Sequence, residues 1–489
     1  MAKRKYIIAL DAGTTSVRAF VYDTDKNAFV HRAQQEVGQT YPKSGWVEQD
    51  ANEIYYKSSY VLNDCISFVG AENVAGIGIT NQRETVVLWD KETGKPCAPA
   101  IVWQCRRTSE FCAAIDKDTR AYIKKTTGLV PDAYFSASKI KWLLDNSAAA
   151  KQLLAKGKLC AGTIDSYLIY KFTGAFVTDY TNASRTMLFD IKNLCWDKKL
   201  CDYFAVPREI LPQALPCDRE FGIFTTGGES IPVAGVLGDQ QAALVGQACL
   251  KAGEGKITYG TGLFLLFHTG GELVRSEQGL LSTIGYALGG KVAYALEGSS
   301  FNAGSSVQWL RDGLGFFEKS SDSERLATSV SSSGGVCFVP AFTGLGAPYW
   351  DADARGLLCG ITRGTTREHI TRAVLESIAF NAKELVACME RDSNLTLGQV
   401  RCDGGASGNN FLMQFQADVL GAAVDRPLER ESTALGAAFA CALSLGMFGE
   451  EEIAKRRASE RIFTPSSNRE KFENLFQNYQ RAVRRALGK

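Results

Sequence analysis

The chain has 489 residues, 45% hydrophobic and 22% charged, and its 55 Lys and Arg against 53 Asp and Glu leave a formal net charge of +2. That length exceeds what one hydrophobic core supports, so two domains are expected. The near-neutral balance gives no global field for nucleic acid, no apolar run is long enough for membrane insertion, and fourteen scattered cysteines without a Cys-x-x-Cys pair or a Cys/His cluster at zinc spacing read as reduced thiols of a cytoplasmic protein.

In chain order, the apolar run 6–10 is too short for a signal peptide and leads into Asp11-Ala12-Gly13-Thr14-Thr15-Ser16. The turn is left by a second apolar run, and the pattern predicts a three-strand meander over 6–9, 18–22 and 30–37. Asp50, with Glu53 three residues on, predicts a capped helix whose apolar face carries Ile54, Ser58, Val61, Leu62 and Cys65. A short buried strand over 74–79 ends in Thr80-Asn81-Gln82-Arg83-Glu84, and 134–146 reads as loop into helix. A helical pattern over 240–250 gives way at 246–255 to Lys-Ala-Gly-Glu-Gly, the cleanest seam in the chain. Beyond it strands are predicted at 257–259 and 263–268 around Thr258-Tyr259-Gly260-Thr261-Gly262, with a third near 293–297 and then a helix holding Val307, Trp309 and Leu310 in the core. Lys455-Arg456-Arg457 reads as a solvated helix face.

Both Gly/Thr turns offer backbone N–H groups and hydroxyls, the donors a polyphosphate requires. Two of them, half a chain apart, suggest a duplicated chain gripping one nucleotide from both sides. Neither the P-loop nor the Gly-x-Gly-x-x-Gly fingerprint is present. None of the three histidines (His31, His268, His369) lies in a catalytic motif, so a general base is expected to be a carboxylate. Asp239, at the start of the helix near the seam, suits that role and equally suits a helix cap. Asp11 suits water held around Mg²⁺ and equally an Asx-turn under Gly13. Arg83 and Glu84 read alone as a surface ion pair, and Trp103 and Phe264 as core packing.

The chain resembles the FGGY carbohydrate kinases, and among them those acting on glycerol, from residue 6 to about 461. The resemblance rests on Asp11-Ala-Gly-Thr-Thr-Ser16, Gly78-Ile-Thr-Asn-Gln-Arg-Glu84, Ala100-Ile-Val-Trp-Gln-Cys-Arg-Arg107 and Tyr134-Phe-Ser-Ala-Ser-Lys-Ile-Lys-Trp142. Asp179-Tyr-Thr-Asn-Ala-Ser-Arg-Thr-Met-Leu-Phe189, Gly238-Asp-Gln-Gln-Ala-Ala243, Tyr259-Gly-Thr-Gly262, Gly344-Leu-Gly-Ala-Pro-Tyr-Trp350 and Asp403-Gly-Gly-Ala-Ser-Gly-Asn-Asn410 follow in order. It implies an α/β fold of two ribonuclease H-like (actin-like ATPase) domains, 1–247 and 248–489, with a central nucleotide and substrate cleft. The implied reaction is direct in-line transfer from ATP to glycerol, giving sn-glycerol 3-phosphate, with Asp239 as general base.

By the same resemblance, Arg83, Glu84, Tyr134, Asp239 and Gln240 take the hydroxyls, while Trp103 and Phe264 wall the carbon chain. Thr14, Thr15, Ser16, Arg18, Thr261 and Gly262 contact phosphate; Asp11 and Asp239 hold Mg²⁺. Gly304, Gln308, Gly405, Ala406 and Asn409 seat the adenosine. A kinase of another polyol or ketose, or a non-catalytic actin-like ATPase, is the alternative. The stretch Phe224-Thr-Thr-Gly-Gly-Glu-Ser-Ile231 aligns with a bisphosphate-binding Gly-Gly-Thr-Arg loop of some relatives but lacks its Arg, so weak or absent fructose 1,6-bisphosphate inhibition is expected. No His occurs between His31 and His268, so phosphohistidine activation near that loop is not expected either. A homodimer or homotetramer is expected by family analogy.

Overall fold

The computed structural model describes residues 4–351 and 353–488. They separate into two compact units. The first runs to Ala248 and also takes Ser282–Tyr294 and Ser432–Arg456; the second holds Cys249–Leu281, Ala295–Glu431 and the chain from Arg457.

The first unit is built on a six-stranded sheet of β1 (Tyr6–Ala12), β2 (Ser16–Asp23), β3 (Ala28–Glu36), β4 (Val74–Asn81), β5 (Glu220–Thr226) and β6 (Glu229–Gly238), in the order β5-β6-β4-β1-β2-β3. β1, β2 and β3 form the expected antiparallel meander, each strand reaching within a few residues of its predicted ends. β4 lies parallel to both β1 and β6. The register sets Ala12 opposite Asn81 and Asn81 opposite Gly238, so the carboxyl ends of the three parallel strands finish flush. Period-two alternation then gives β4 two different faces. Ile77 and Ile79 join the cluster holding Ile54 and Val61 of helix Ala51–Val69. Gly76 and Gly78 face Cys441 and Ala437 of helix Ser432–Ser444 instead.

Helix Ala51–Val69 starts at Asp50, whose side chain accepts from Asn52 N. Glu53 does not close a capping box there; it accepts from Lys57 Nζ at 2.6 Å and Gly38 N at 3.2 Å. β5 and β6 form a hairpin whose tip holds Gly227 and Gly228, both at positive φ.

In the second unit β7 (Gly255–Tyr259), β8 (Leu263–Gly270), β9 (Lys291–Ser300, in this unit from Ala295), β10 (Gln399–Asp403), β11 (Ala423–Pro427) and β12 (Ser459–Phe463) run in the order β12-β11-β10-β7-β8-β9. β7 pairs antiparallel with β8 and parallel with β10, which is parallel to β11; β12 is antiparallel to β11. These are the pairings of β1 with β2 and β4, and of β6 with β4 and β5. The duplication suggested by the two turns thus extends to sheet topology. One edge differs: β5 precedes its partner in the chain, whereas β12 follows its own.

Ser432–Arg456 belongs with the first unit although it follows the second unit's strands in the chain. Its helix Ser432–Ser444 packs on β1, β4, β6 and helix Asp239–Gly246. Of Lys455-Arg456-Arg457, Lys455 is solvated as expected, its side chain 68% exposed, while the two arginines are held. Arg456 Nη1 donates to Thr24 O at 2.8 Å, and Arg457 Nη1 pairs with Asp425 at 2.6 Å. Among the described residues no helix is long and apolar enough to cross a membrane, and all fourteen cysteines are free thiols.

Candidate active site

The flush ends of β1, β4 and β6 deliver Asp11, Arg83 with Glu84, and Asp239 to one edge of the first unit's sheet, where parallel α/β sheets place their ligand sites. Asp239 opens helix Asp239–Gly246, and its carboxylate accepts from Gln240 N at 2.7 Å. Arg83 Nε lies 3.1 Å from Asp239 Oδ1. Arg83 also donates to Gln241 Oε1 at 3.2 Å and points Nη2 at the Tyr134 hydroxyl at 3.5 Å. Its side chain is 2% exposed against 33% for Asp239, so the arginine is a buried anchor and the aspartate the accessible end. The surface ion pair that adjacency suggested for Arg83 and Glu84 is therefore replaced by a buried network.

Glu84 is held twice over. Its side chain is 2% exposed, with Arg185 Nε 2.7 Å from Oε1 and Arg83 Nε 3.9 Å from the same oxygen. Its backbone stands at φ 60°, left-handed for a residue with a Cβ, a conformation that persists only where surroundings over-determine it. Here the Glu84 carbonyl accepts from Ser136 Oγ at 3.1 Å and Lys139 Nζ at 3.0 Å. Lys139 also reaches Tyr134 O at 2.6 Å, fixing the tyrosine. Burial drives the Lys139 ammonium down to about 7, with Glu84 opposing the shift. Trp103 completes the group: its ring meets Tyr134 edge-on at 5.7 Å, and its Nε1 donates to Thr14 Oγ1 at 3.0 Å.

That last bond joins the pocket to the first Gly/Thr turn. The turn carbonyls are tied down, Thr14 O by Gln49 Nε2 at 2.7 Å and Thr15 O by Val37 N at 2.9 Å. Arg18 stands opposite Asp11 in the β1–β2 register and pairs with it at 2.5 Å. Upstream of Asp239, the Gly238 N–H donates to Thr181 Oγ1 at 2.9 Å, and that hydroxyl donates to Asp179 Oδ2 at 2.6 Å.

The second unit carries the other candidates. Gly260 N donates to Gly262 O at 2.9 Å, closing the second turn, and Gly304 N donates to Gly260 O at 3.0 Å. A Cβ on Gly304 would lie 2.6 Å from that same oxygen, so only glycine lets helix Gly304–Gln308 start there. Gln308 is exposed on that helix, while Val307 and Leu310 are buried as expected. Gly405 and Ala406 open a short 3₁₀ turn after β10; Asn409 caps helix Asn410–Leu420, accepting from Leu412 N. Phe264 lies on β8 opposite Thr258, half-buried, in the second unit.

Residues 6–246 match the N-terminal domain, and residues 255–445 the C-terminal domain, of the FGGY family of carbohydrate kinases. The chain belongs to that family. It is 51% identical over 492 residues to glycerol kinase 2 of Thermotoga maritima, covering 99% of each chain. Its structure matches that of Plasmodium falciparum glycerol kinase with ADP at a TM-score of 0.92, 37% identity and 99% coverage of both chains. A Lactobacillus acidophilus xylulose kinase shares the fold at a TM-score of 0.90 and 23% identity, over 99% of this chain and 98% of its own. The mixed α/β fold of two units is thus the fold of this kinase family.

Phosphoryl transfer in general places Mg²⁺ on the phosphates, and the donor types here fit such an ion. Asp11 and Asp239 are carboxylates, hard oxygen donors at the ends of β1 and β6, the two strands that flank β4. Arg185, Lys139, Gln241 and Thr181 received no role from sequence. Their motifs were visible, but their parts depend on contacts across about 50 to 160 residues, which local patterning does not encode.

Proposed function

We propose that this chain phosphorylates glycerol with ATP, giving sn-glycerol 3-phosphate by direct in-line transfer. The observation that carries the reading is the first unit's cluster of Arg83, Glu84, Tyr134, Trp103 and Asp239, polar groups set against one aromatic wall. Glycerol has three hydroxyls and little apolar surface, so several fixed donors and acceptors with one wall is the pocket it requires. Arg83 and Glu84 would engage two hydroxyls as donor and acceptor, with Tyr134 and Gln240 on the remainder and Phe264 as a second wall.

The reactive hydroxyl would give its proton to the Asp239 carboxylate as the new O–P bond forms. Arg83, 3.1 Å from Oδ1, keeps that carboxylate aimed. Thr14, Thr15, Ser16 and Arg18, with Thr261 and Gly262, would hold the phosphates; Gly304, Gln308, Gly405, Ala406 and Asn409 would receive the adenosine. Mg²⁺ held through Asp11 and Asp239 would supply charge neutralisation on the phosphate oxygens. Cytoplasmic location and a homo-oligomer are part of the same reading, by family analogy.

The test is ADP release with Mg-ATP and glycerol against xylulose, ribulose, gluconate and erythritol, with Asp239→Asn beside wild type. Glycerol is expected to be strongly preferred. The variant is expected to lose about 10²–10⁴-fold in kcat while still binding ATP. Preference for another acceptor discards the pocket assignment, and ATP turnover without any acceptor discards the kinase reading.

A further inference from the structure

Away from the strand ends, the first unit brings together three side chains that share no sequence motif. His31 lies on β3, and Asp64 and Cys65 lie toward the end of helix Ala51–Val69; one ligand atom from each falls within 4.8 Å of the other two. Among the described residues no other His, Cys, Asp or Glu trio does so.

The grouping follows from two periodicities. His31 and Ala33, two apart on β3, share one face of the sheet, and Ala33 packs against the apolar cluster that includes the buried Cys65. Asp64 precedes Cys65 and stands at the rim, with Oδ1 2.7 Å from His31 Nε2. Phe68, four residues after Asp64, stacks on the imidazole at 4.2 Å and 9° and fixes its plane. The result is an imidazole nitrogen, a carboxylate oxygen and a sulfur converging from two packed elements.

We propose that His31, Asp64 and Cys65 form a binding site for one Zn²⁺ or a similar borderline divalent ion, independent of the kinase site. Nitrogen and sulfur donors select such ions over Mg²⁺ or Ca²⁺. Three protein ligands leave a fourth tetrahedral position for water. Cys65 binds such an ion as its thiolate. Binding therefore forms a metal–sulfur bond, breaks the S–H bond and releases one proton to solvent.

The site lies at the far ends of the two elements that brace the first phosphate turn. β3 leads toward Val37, which holds Thr15 O, and the helix begins just after Gln49, which holds Thr14 O. A bound ion would pin those elements together and stabilise the first unit by mass action.

The test is titration of the full-length, reduced protein with Co²⁺. A thiolate-to-cobalt charge-transfer band saturating at one equivalent and abolished by excess Zn²⁺ is expected. Cys65→Ser should lose the band. His31→Gln and Asp64→Asn, at partly exposed positions, should weaken binding at least about ten-fold with the circular dichroism of the folded chain retained. No band in the wild type overturns the proposal, as does a band that survives in Cys65→Ser and so belongs to other thiols. If Cys65→Ser does not fold, unchanged affinity in His31→Gln overturns it on its own.

Discussion

A carboxylate as enclosed as Glu84 is tolerable chiefly because Arg185, itself with a fully buried side chain, stands 2.7 Å from Oε1, against 3.9 Å for Arg83. Removing one member of such a pair leaves an uncompensated buried charge, which costs about 3–5 kcal/mol. Arg185→Met is therefore expected to lower the unfolding free energy read from urea titration by that amount. The double change Glu84→Gln with Arg185→Met should recover much of the stability and none of the activity. A single variant as stable as wild type would mean that Glu84 does not depend on Arg185.

Lys139 adds a pH dependence of unusual sign. Its ordinary value is 10.5 and burial brings it to about 7 in the folded chain. Below pH 7 it is protonated in both states; between about 7 and 10.5 the unfolded chain keeps a proton that the folded chain has released, so stability rises with pH there. The difference in unfolding free energy between wild type and Lys139→Met is expected to grow by up to about 1.4 kcal/mol per pH unit across that window. A flat difference would return Lys139 to an ordinary ammonium. The sequence showed Lys139 and Arg185 inside recognisable motifs. It did not show their burial, which arises only when residues near 84, 134 and 185 fold together.

At the scale of elements, the position of Asp239 is set by two helices that cross at glycines. Helix Asp239–Gly246 meets helix Ser432–Ser444 so closely that a Cβ on Gly436 would lie 1.8 Å from Ala242 O, and one on Gly246 1.9 Å from Ser432 O. No rotamer relieves such a contact, because the obstacle is backbone. Gly436→Ala should force the helices apart, costing about 1–3 kcal/mol and moving the helix that begins at Asp239. Differential scanning calorimetry should show the lower Tm, and kinetics a kcat loss larger than any change in glycerol KM. Wild-type kcat in this variant would show that the crossing does not position the aspartate. Strands, turns and helix starts were legible from alternation, Gly/Thr punctuation and Asp caps, because those signals are local. The partner of Gly246 was not, since it lies about 190 residues away and a helical Gly–Gly crossing leaves no periodic trace.

At the scale of the whole molecule, the chain repeats one sheet topology twice and then crosses back. The repetition was legible as two Gly/Thr turns between apolar runs. The crossing was not, because Ser432–Arg456 follows the second unit's strands in sequence and only its packing on β1, β4 and β6 assigns it to the first. The face of β4 that carries Gly76 and Gly78 meets Ala437, Cys441 and Leu445 of that returning segment. A fragment ending at Ala248 would thus expose the sheet surface that Ala437 and Cys441 bury. Such a fragment is expected to aggregate or to unfold without a cooperative transition. The same fragment joined by a flexible linker to residues 432–456 should regain a single sigmoidal urea transition. If residues up to 248 fold cooperatively alone, the returning helix is an accessory and not part of the first unit's core. If they fold only with it, the Asp239 helix and the sheet that frames it depend on a segment encoded near the other end of the chain.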